Sequence, residues 1–182
     1  MSITKLITAE DLLAMDSDAP YELIEGELRD MSPSDGYSSM IGGNVFAALH
    51  AYVRREGLGY LTSEGGGYLL SRNPDTVVAP DVGFISERSM PGGPRPKEFI
   101  PHPPDLAVEV MSGSDRFPEA ARKAQRYLDA GTRLVWVLRP DDGTAVVFAS
   151  GRPPQELKIS DELNGGDVLP GFRLPLADVF PD

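Results

Sequence analysis

The sequence predicts an α/β fold built on a mixed sheet, and three observations carry the prediction. "SSMIGGNVFAALHAYVRREG", residues 38–57, spaces Ile41, Val45, Leu49 and Val53 four apart, with Phe46 and Tyr52 widening the stripe into the buried face of a long helix. "DLAVEVMS", "RFPEAARKAQRYLDAG" and "RLVWVLRP" read as strand, helix and strand in succession. Between residues 60 and 86, β-favouring runs are cut by "GGG" and "RNPD" into two or three further strands. At 182 residues, 41% hydrophobic and 25% charged, the chain suits one globular domain spanning 1–182.

Each element has a local reason. Thr8, three residues before Asp11, is an N-cap opening a short helix that should close near Asp16, with Leu12, Leu13 and Met15 packed inward. After "SDAP", the run "YELIEGELRDM" is a hairpin or bent strand turning at Glu25-Gly26. Gly57 closes the long helix, and Gly42-Gly43 weaken its first turn. Residues 89–104 hold six prolines and two glycines, so they form a loop long enough to act as a flap. The third helix begins near Pro118 and stops at Gly131. "RLVWVLRP" and "GTAVVFAS" flank a "DDG" turn, and short strands ending in "LPGFRLPL" complete the chain. There is no internal repeat.

Composition narrows the chemistry. No run approaches the roughly 20 apolar residues of a membrane span, and "MSITKLITAEDLLAMD" turns acidic where a secretory signal would be apolar. A soluble, cytoplasmic protein is expected. Without cysteine there is no disulfide, thiolate nucleophile or cysteine zinc site, and His50 and His102 are the only histidines. A metal would therefore be held through oxygen. The net charge of -11 disfavours a surface that attracts nucleic acid as a whole, so a phosphate-bearing partner needs a local basic strip or bound cations. The chain contains no GxSxG, GxxxxGK[ST] or HExxH motif.

Two carboxylates stand where packing would ask for none. Along "DLAVEVMS" Leu106, Val108 and Val110 share one face, and Ala107, Glu109 and Met111 the other. Glu109 thus faces a helix-covered layer or a cleft, unless it is a strand-edge residue facing water. "VVAPDVGFI" sets Asp81 in a second apolar strand, where a turn or edge aspartate is the plainer reading. On the third helix Phe117, Ala120, Ala124, Tyr127 and Leu128 form the buried stripe, with Arg116, Lys123 and Arg126 along its border. From there the Lys123 stem can carry an ammonium toward the carboxylates, or Lys123 belongs to a solvated face of weak surface pairs. Arg95 and Lys97 in "GGPRPKE" are candidates for phosphate contact or ordinary loop residues. Trp136 reads as core or dimer interface.

"YELIEGEL", "MSPSDG", "APDVGFI", "PPDLAVEVMSGSD", "KAQRYLDAGTRLVWVLRP" and "LPGFRLPL" occur in an order and spacing that resembles the Uma2 family, of the restriction-endonuclease-like PD-(D/E)XK superfamily. The resemblance covers nearly the whole chain. It implies a restriction-endonuclease-like core and a metal-dependent endonuclease in which Asp81 and Glu109 ligate Mg²⁺ or Mn²⁺, with the Val110 carbonyl completing the shell. The superfamily's usual lysine two positions after the second acid is Met111 here, and Lys123 matches members whose lysine has moved to the following helix. Glu22 matches the family's additional N-terminal acid. Many members carry a histidine near the start of the long helix, where this chain reads "GYSSMIGG". The implied substrate is nucleic acid, DNA in the first instance, and a homodimer is expected.

Two other readings fit the same residues. One is a catalytically inactive module that binds nucleic acid or a protein; the other is a buried network in which Lys123 neutralises the two acids and no metal is held.

Overall fold

The computed structural model describes residues 6–15, 21–31, 33–95, 97–113 and 115–180. The "SDAP" turn lies outside them. α1 (Ala9–Leu13) is capped as expected, the Thr8 hydroxyl accepting the Asp11 N–H while the Asp11 carboxylate accepts the Thr8 N–H. It closes earlier than expected, and of its apolar residues Ala9 and Leu12 face the core beside Leu23 and Val77. Leu13 and Met15 are instead 46% and 42% exposed, because so short a helix presents only one inward face, taken by positions three apart.

β1 (Tyr21–Ile24) and β2 (Glu27–Asp30) form the expected hairpin, with Glu25 and Gly26 both at positive φ, as a two-residue turn matched to strand twist requires. α2 (Gly36–Glu56) starts two residues before the expected 38, because the Asp35 side chain caps the N–H groups of Tyr37 and Ser38. Ile41, Val45, Leu49 and Val53 are buried along it, and Gly57 ends it in the left-handed conformation. The next block holds four strands: β3 (Gly59–Ser63), β4 (Tyr68–Ser71), β5 (Thr76–Val78) and β6 (Val82–Ser86). The extra break falls at 79–81, where Pro80 has no N–H to give a ladder. β7 (Leu106–Val110), α3 (Phe117–Ala130) and β8 (Leu134–Arg139) form the expected strand-helix-strand unit. β9 (Thr144–Ala149), β10 (Gln155–Leu157), β11 (Glu162–Asn164) and β12 (Arg173–Pro175) follow.

The fold is α/β with a mixed sheet flanked by helices. Six strands run in the order β10-β9-β8-β7-β6-β3, with β7 and β8 parallel and the other pairs antiparallel. A four-stranded antiparallel sheet, β2-β1-β5-β4, and the β11-β12 hairpin are the additional strands. α2 and the C-terminal segment pack on one face of the large sheet with Leu106, Val108, Val110 and Trp136; α3 packs on the other with Ala107, Val135 and Val137. The period-two reading of β7 therefore holds. Trp136 is fully buried and stacks on Phe172, which places it in the core. The proline-rich loop is anchored at both ends, Met90 packing against Tyr68 and Ile85 while Ile100 bonds to Gly67 and Leu69. Among the described residues no helix is long and apolar enough to cross a membrane.

Candidate active site

The strand pattern brings the two predicted carboxylates together. β6 pairs with β7 antiparallel, Val82 opposite Val108, so Asp81 one residue before and Glu109 one residue after arrive side by side. Asp81 stands just ahead of β6, not within it. Its Oδ2 accepts the Val110 N–H at 2.6 Å, taking a β7 donor beyond the point where β6 pairing ends. This bond fixes the Asp81 carboxylate against the backbone of the residue following Glu109.

Glu109 projects from β7 toward α3, where two side chains one helical turn apart hold its two oxygens. The Lys123 ammonium donates to Oε2 at 2.9 Å, and the Tyr127 hydroxyl donates to Oε1 at 2.7 Å. Lys123 also reaches Glu22 Oε1 on β1 at 2.8 Å, and the Ala79 N–H donates to the same Glu22 oxygen at 3.0 Å. Three elements, α3, β7 and β1, thus meet at one ammonium. All four side chains predicted from the sequence, Glu22, Asp81, Glu109 and Lys123, line a single cleft of about 310 Å³, together with Val110.

Burial decides the ionisation of the group. Glu22, Glu109 and Lys123 side chains are only 12%, 13% and 23% exposed. Burial pushes the Glu109 carboxyl up to about 7; Lys123 opposes the rise, while Asp81 and Glu22 add to it. Asp81 is also raised by burial, with the Val110 N–H and Lys123 pulling the other way. For Lys123, burial favours the neutral amine, but Glu109 and Glu22 more than reverse that and keep it charged. Burial and the adjacent Glu109 hold the Tyr127 hydroxyl well above its ordinary range, so it is a proton donor throughout the neutral range. The cluster carries more negative than positive charge.

That imbalance bears on a cation. The oxygen donors of the cleft suit a hard ion, and Asp81 and Glu109 are the carboxylates that could hold one, with Val110 beside them in the lining. Among the described residues no group of three or more His, Asp or Glu side chains is gathered tightly enough to bind a metal alone. The residues fit an ion bound by two carboxylates and otherwise by water, as Mg²⁺ commonly is.

Some of the site was not singled out from the sequence. Tyr127 was read as core, and its spacing of four from Lys123 is the signal that pairs them. Met111, at the superfamily's usual lysine position, packs beside Phe117 against the α3 core. Where many Uma2 members carry histidine, Ser38 is buried and donates to the Met111 carbonyl, tying α2 to the end of β7. Arg95 and Lys97 do not line the cleft.

Comparison with known proteins agrees with this architecture. The chain shares its fold with a crystal structure described as "a putative nuclease belonging to DUF820" from Anabaena variabilis ATCC 29413, at a TM-score of 0.81 and 20% identity, covering 96% of this chain and 97% of that one. No curated protein matches. The model of the Uma2 family, described as "Putative restriction endonuclease", matches residues 9–177, and the chain therefore belongs to the Uma2 family.

Proposed function

We propose that this protein is a divalent-metal-dependent endonuclease that hydrolyses phosphodiester bonds in nucleic acid, DNA in the first instance. The observation that carries the reading is the meeting of Asp81, Glu109 and Lys123 in one cleft from a strand edge, a strand and a helix. Asp81, Glu109 and the Val110 carbonyl would hold Mg²⁺ or Mn²⁺. When bound, the ion supplies Lewis acidity toward the phosphoryl oxygens and lowers the pKa of attacking water.

The chain's own groups have separable tasks. Lys123 is too firmly protonated to serve as a base, so its ammonium stabilises charge developing on the phosphoryl oxygens or orients water. Glu22 holds Lys123 from β1, and Tyr127 fixes the second oxygen of Glu109 so that the carboxylate has one orientation. Both act through other residues.

The test is cleavage of circular single-stranded and supercoiled DNA with Mg²⁺ or Mn²⁺, comparing the protein with Glu109→Ala and Lys123→Ala prepared identically and checked for folding by circular dichroism. Metal-dependent cutting lost in both variants is the expected result. Activity that survives in both variants would belong to a contaminant and would overturn the assignment.

One observation favours a second reading. Lys123 already lies within 2.9 Å of both Glu22 and Glu109, as a metal-free network or an inactive binding module would have it. Asp81 separates the two, because it has no ion pair within the described residues. Under the nuclease reading Mn²⁺ raises the melting temperature in a concentration-dependent way, and under the network reading it does not. β3 and β10 are the outer strands of the large sheet, and we retain a homodimer as part of the proposal. A monomer mass by light scattering at micromolar concentration would remove that part.

A further inference from the structure

The cleft poses an electrostatic problem for the substrate just proposed. Six carboxylates line it, those of Glu22, Asp30, Asp81, Glu109, Asp115 and Glu119, against two cations, Lys123 and Arg116. Lys123 is committed to Glu22 and Glu109. A phosphodiester backbone entering such a site meets like charge, which costs affinity unless a cation is free to receive it. Arg116 is that cation. It is exposed, and among the described residues it has neither an ion pair nor a side-chain hydrogen bond. The neighbouring acids are engaged elsewhere: Asp115 accepts from the Ser112 N–H and hydroxyl, and Glu119 faces Arg122 at 3.9 Å.

Placement fixes which part of the substrate Arg116 can meet. It stands at the N-cap position of α3, two helical turns before Lys123, and Glu119 and Ala120 line the cleft between them. Seven residues of helix separate the backbones of Arg116 and Lys123 by about 10 Å along the axis. Stems that start two turns apart in one cleft let the guanidinium take a phosphate flanking the one beside Lys123. A guanidinium suits the task because its fork pairs two phosphate oxygens and it stays charged at every working pH.

Resting on the nuclease reading above, we propose that Arg116 is the substrate-positioning residue of the cleft, binding a phosphate that flanks the scissile phosphodiester. It contributes to holding the backbone, not to bond cleavage, and its loss separates KM from kcat.

The experiment uses a fluorescein-labelled single-stranded DNA dodecamer. Its dissociation constant is measured in EDTA across 20–200 mM salt, and its cleavage kinetics are measured with Mn²⁺. The proteins compared are the unaltered chain, Arg116→Ala, Arg116→Lys, and Arg152→Ala as an arginine outside this cleft. For Arg116→Ala a roughly tenfold weaker Kd and higher KM is expected, with kcat within about twofold, and the slope of log K against log salt falls by about 0.7, one single-strand phosphate contact. Arg116→Lys recovers the slope but not the full affinity, and Arg152→Ala changes neither. Because the Arg116 side chain has no partner among the described residues, its variants should melt with the unaltered chain. If the dodecamer binds as expected but is never cut, the nuclease reading fails, and the slope difference still assigns Arg116 to a backbone phosphate but to no scissile one. Equal slopes and Kd for Arg116→Ala and the unaltered chain, or no binding by the unaltered chain at 20 mM salt, overturn the assignment.

Discussion

Replacing Lys123 by methionine isolates the charge at the centre of the site. Methionine keeps an unbranched stem of similar length, so the α3 packing survives while the ammonium disappears. Glu22 and Glu109 are then left 12% and 13% exposed with no cation between them. Removing one partner of a buried pair costs about 3–5 kcal/mol, because the remaining charge is desolvated without compensation. For a chain of this length 1 kcal/mol moves the melting temperature by about 2–4 °C, so a loss of at least about 6 °C is expected near pH 8.

The pH dependence supplies the sharper part of the test. Glu109 in the folded chain has a pKa raised to about 7, above its unfolded value, so folding binds a proton and stability from this group falls as pH rises from about 4.5 to 7. Without Lys123, whose charge opposes the rise, the folded pKa climbs further and the declining window extends upward. The penalty of Lys123→Met therefore shrinks toward pH 5, where Glu109 is protonated in both proteins, and grows toward pH 8. Urea unfolding at pH 5, 6, 7 and 8 measures it. A penalty below about 1 kcal/mol, or one independent of pH, would refute the picture of a buried, cation-dependent carboxylate pair.

Three further outcomes follow from the same geometry. Tyr127→Phe removes a 2.7 Å bond to Glu109 from a fully buried position and should cost about 1.5–3 kcal/mol in urea unfolding; an unchanged midpoint and slope would mean the hydroxyl does not hold the carboxylate. Gly83→Ala on β6 would place its Cβ 2.4 Å from the Tyr68 hydroxyl oxygen within the core, and a loss of about 1–3 kcal/mol in the same assay is expected. Asp75→Ala removes the buried carboxylate that caps Ala9 and pairs with Arg72, so amide exchange at the start of α1 should accelerate by about tenfold or more while exchange in β7 and β8 tracks only the global stability.

Much of the fold was legible because its signals are periodic. The four-residue stripe of α2 and the two-residue alternation of β7 both specify which residues share a face; the alternation set Glu109 opposite Leu106, Val108 and Val110, while the choice between a covered layer, a cleft and water was decided only by α3 packing over that face. Boundaries were less legible. α2 began early because an Asx cap at Asp35 recruited residues ahead of the stripe, and α1 ended at Leu13, with Leu13 and Met15 exposed. The strand break at Pro80 was visible in composition, yet only the pairing of Val82 with Val108 gives it meaning, since it releases Asp81 from the ladder to cap Val110. Such register information is nonlocal. The same holds for Glu22 beside Lys123, which depends on how a four-stranded sheet meets the helix. No local pattern reports that distance.

The position of the lysine follows from this geometry as well. A side chain two residues after Glu109 on the same strand lies on the same face, about 6.7 Å along it, and Met111 there fills the apolar layer beneath α3. A lysine at 111 would approach Glu109 from one side along β7. From α3 the ammonium approaches across the layer instead, which lets it touch Glu109 and Glu22 on separate sheets at once, and which leaves the following turn to place Tyr127 on the other oxygen of Glu109. The helix therefore provides two donors to one carboxylate and a tie between two sheets, where a strand lysine provides one contact. The cost is an apolar residue at 111, which the core absorbs. Met111 on the strand side and Lys123 on the helix are in this sense one structural choice, and the orientation of Glu109 is its consequence.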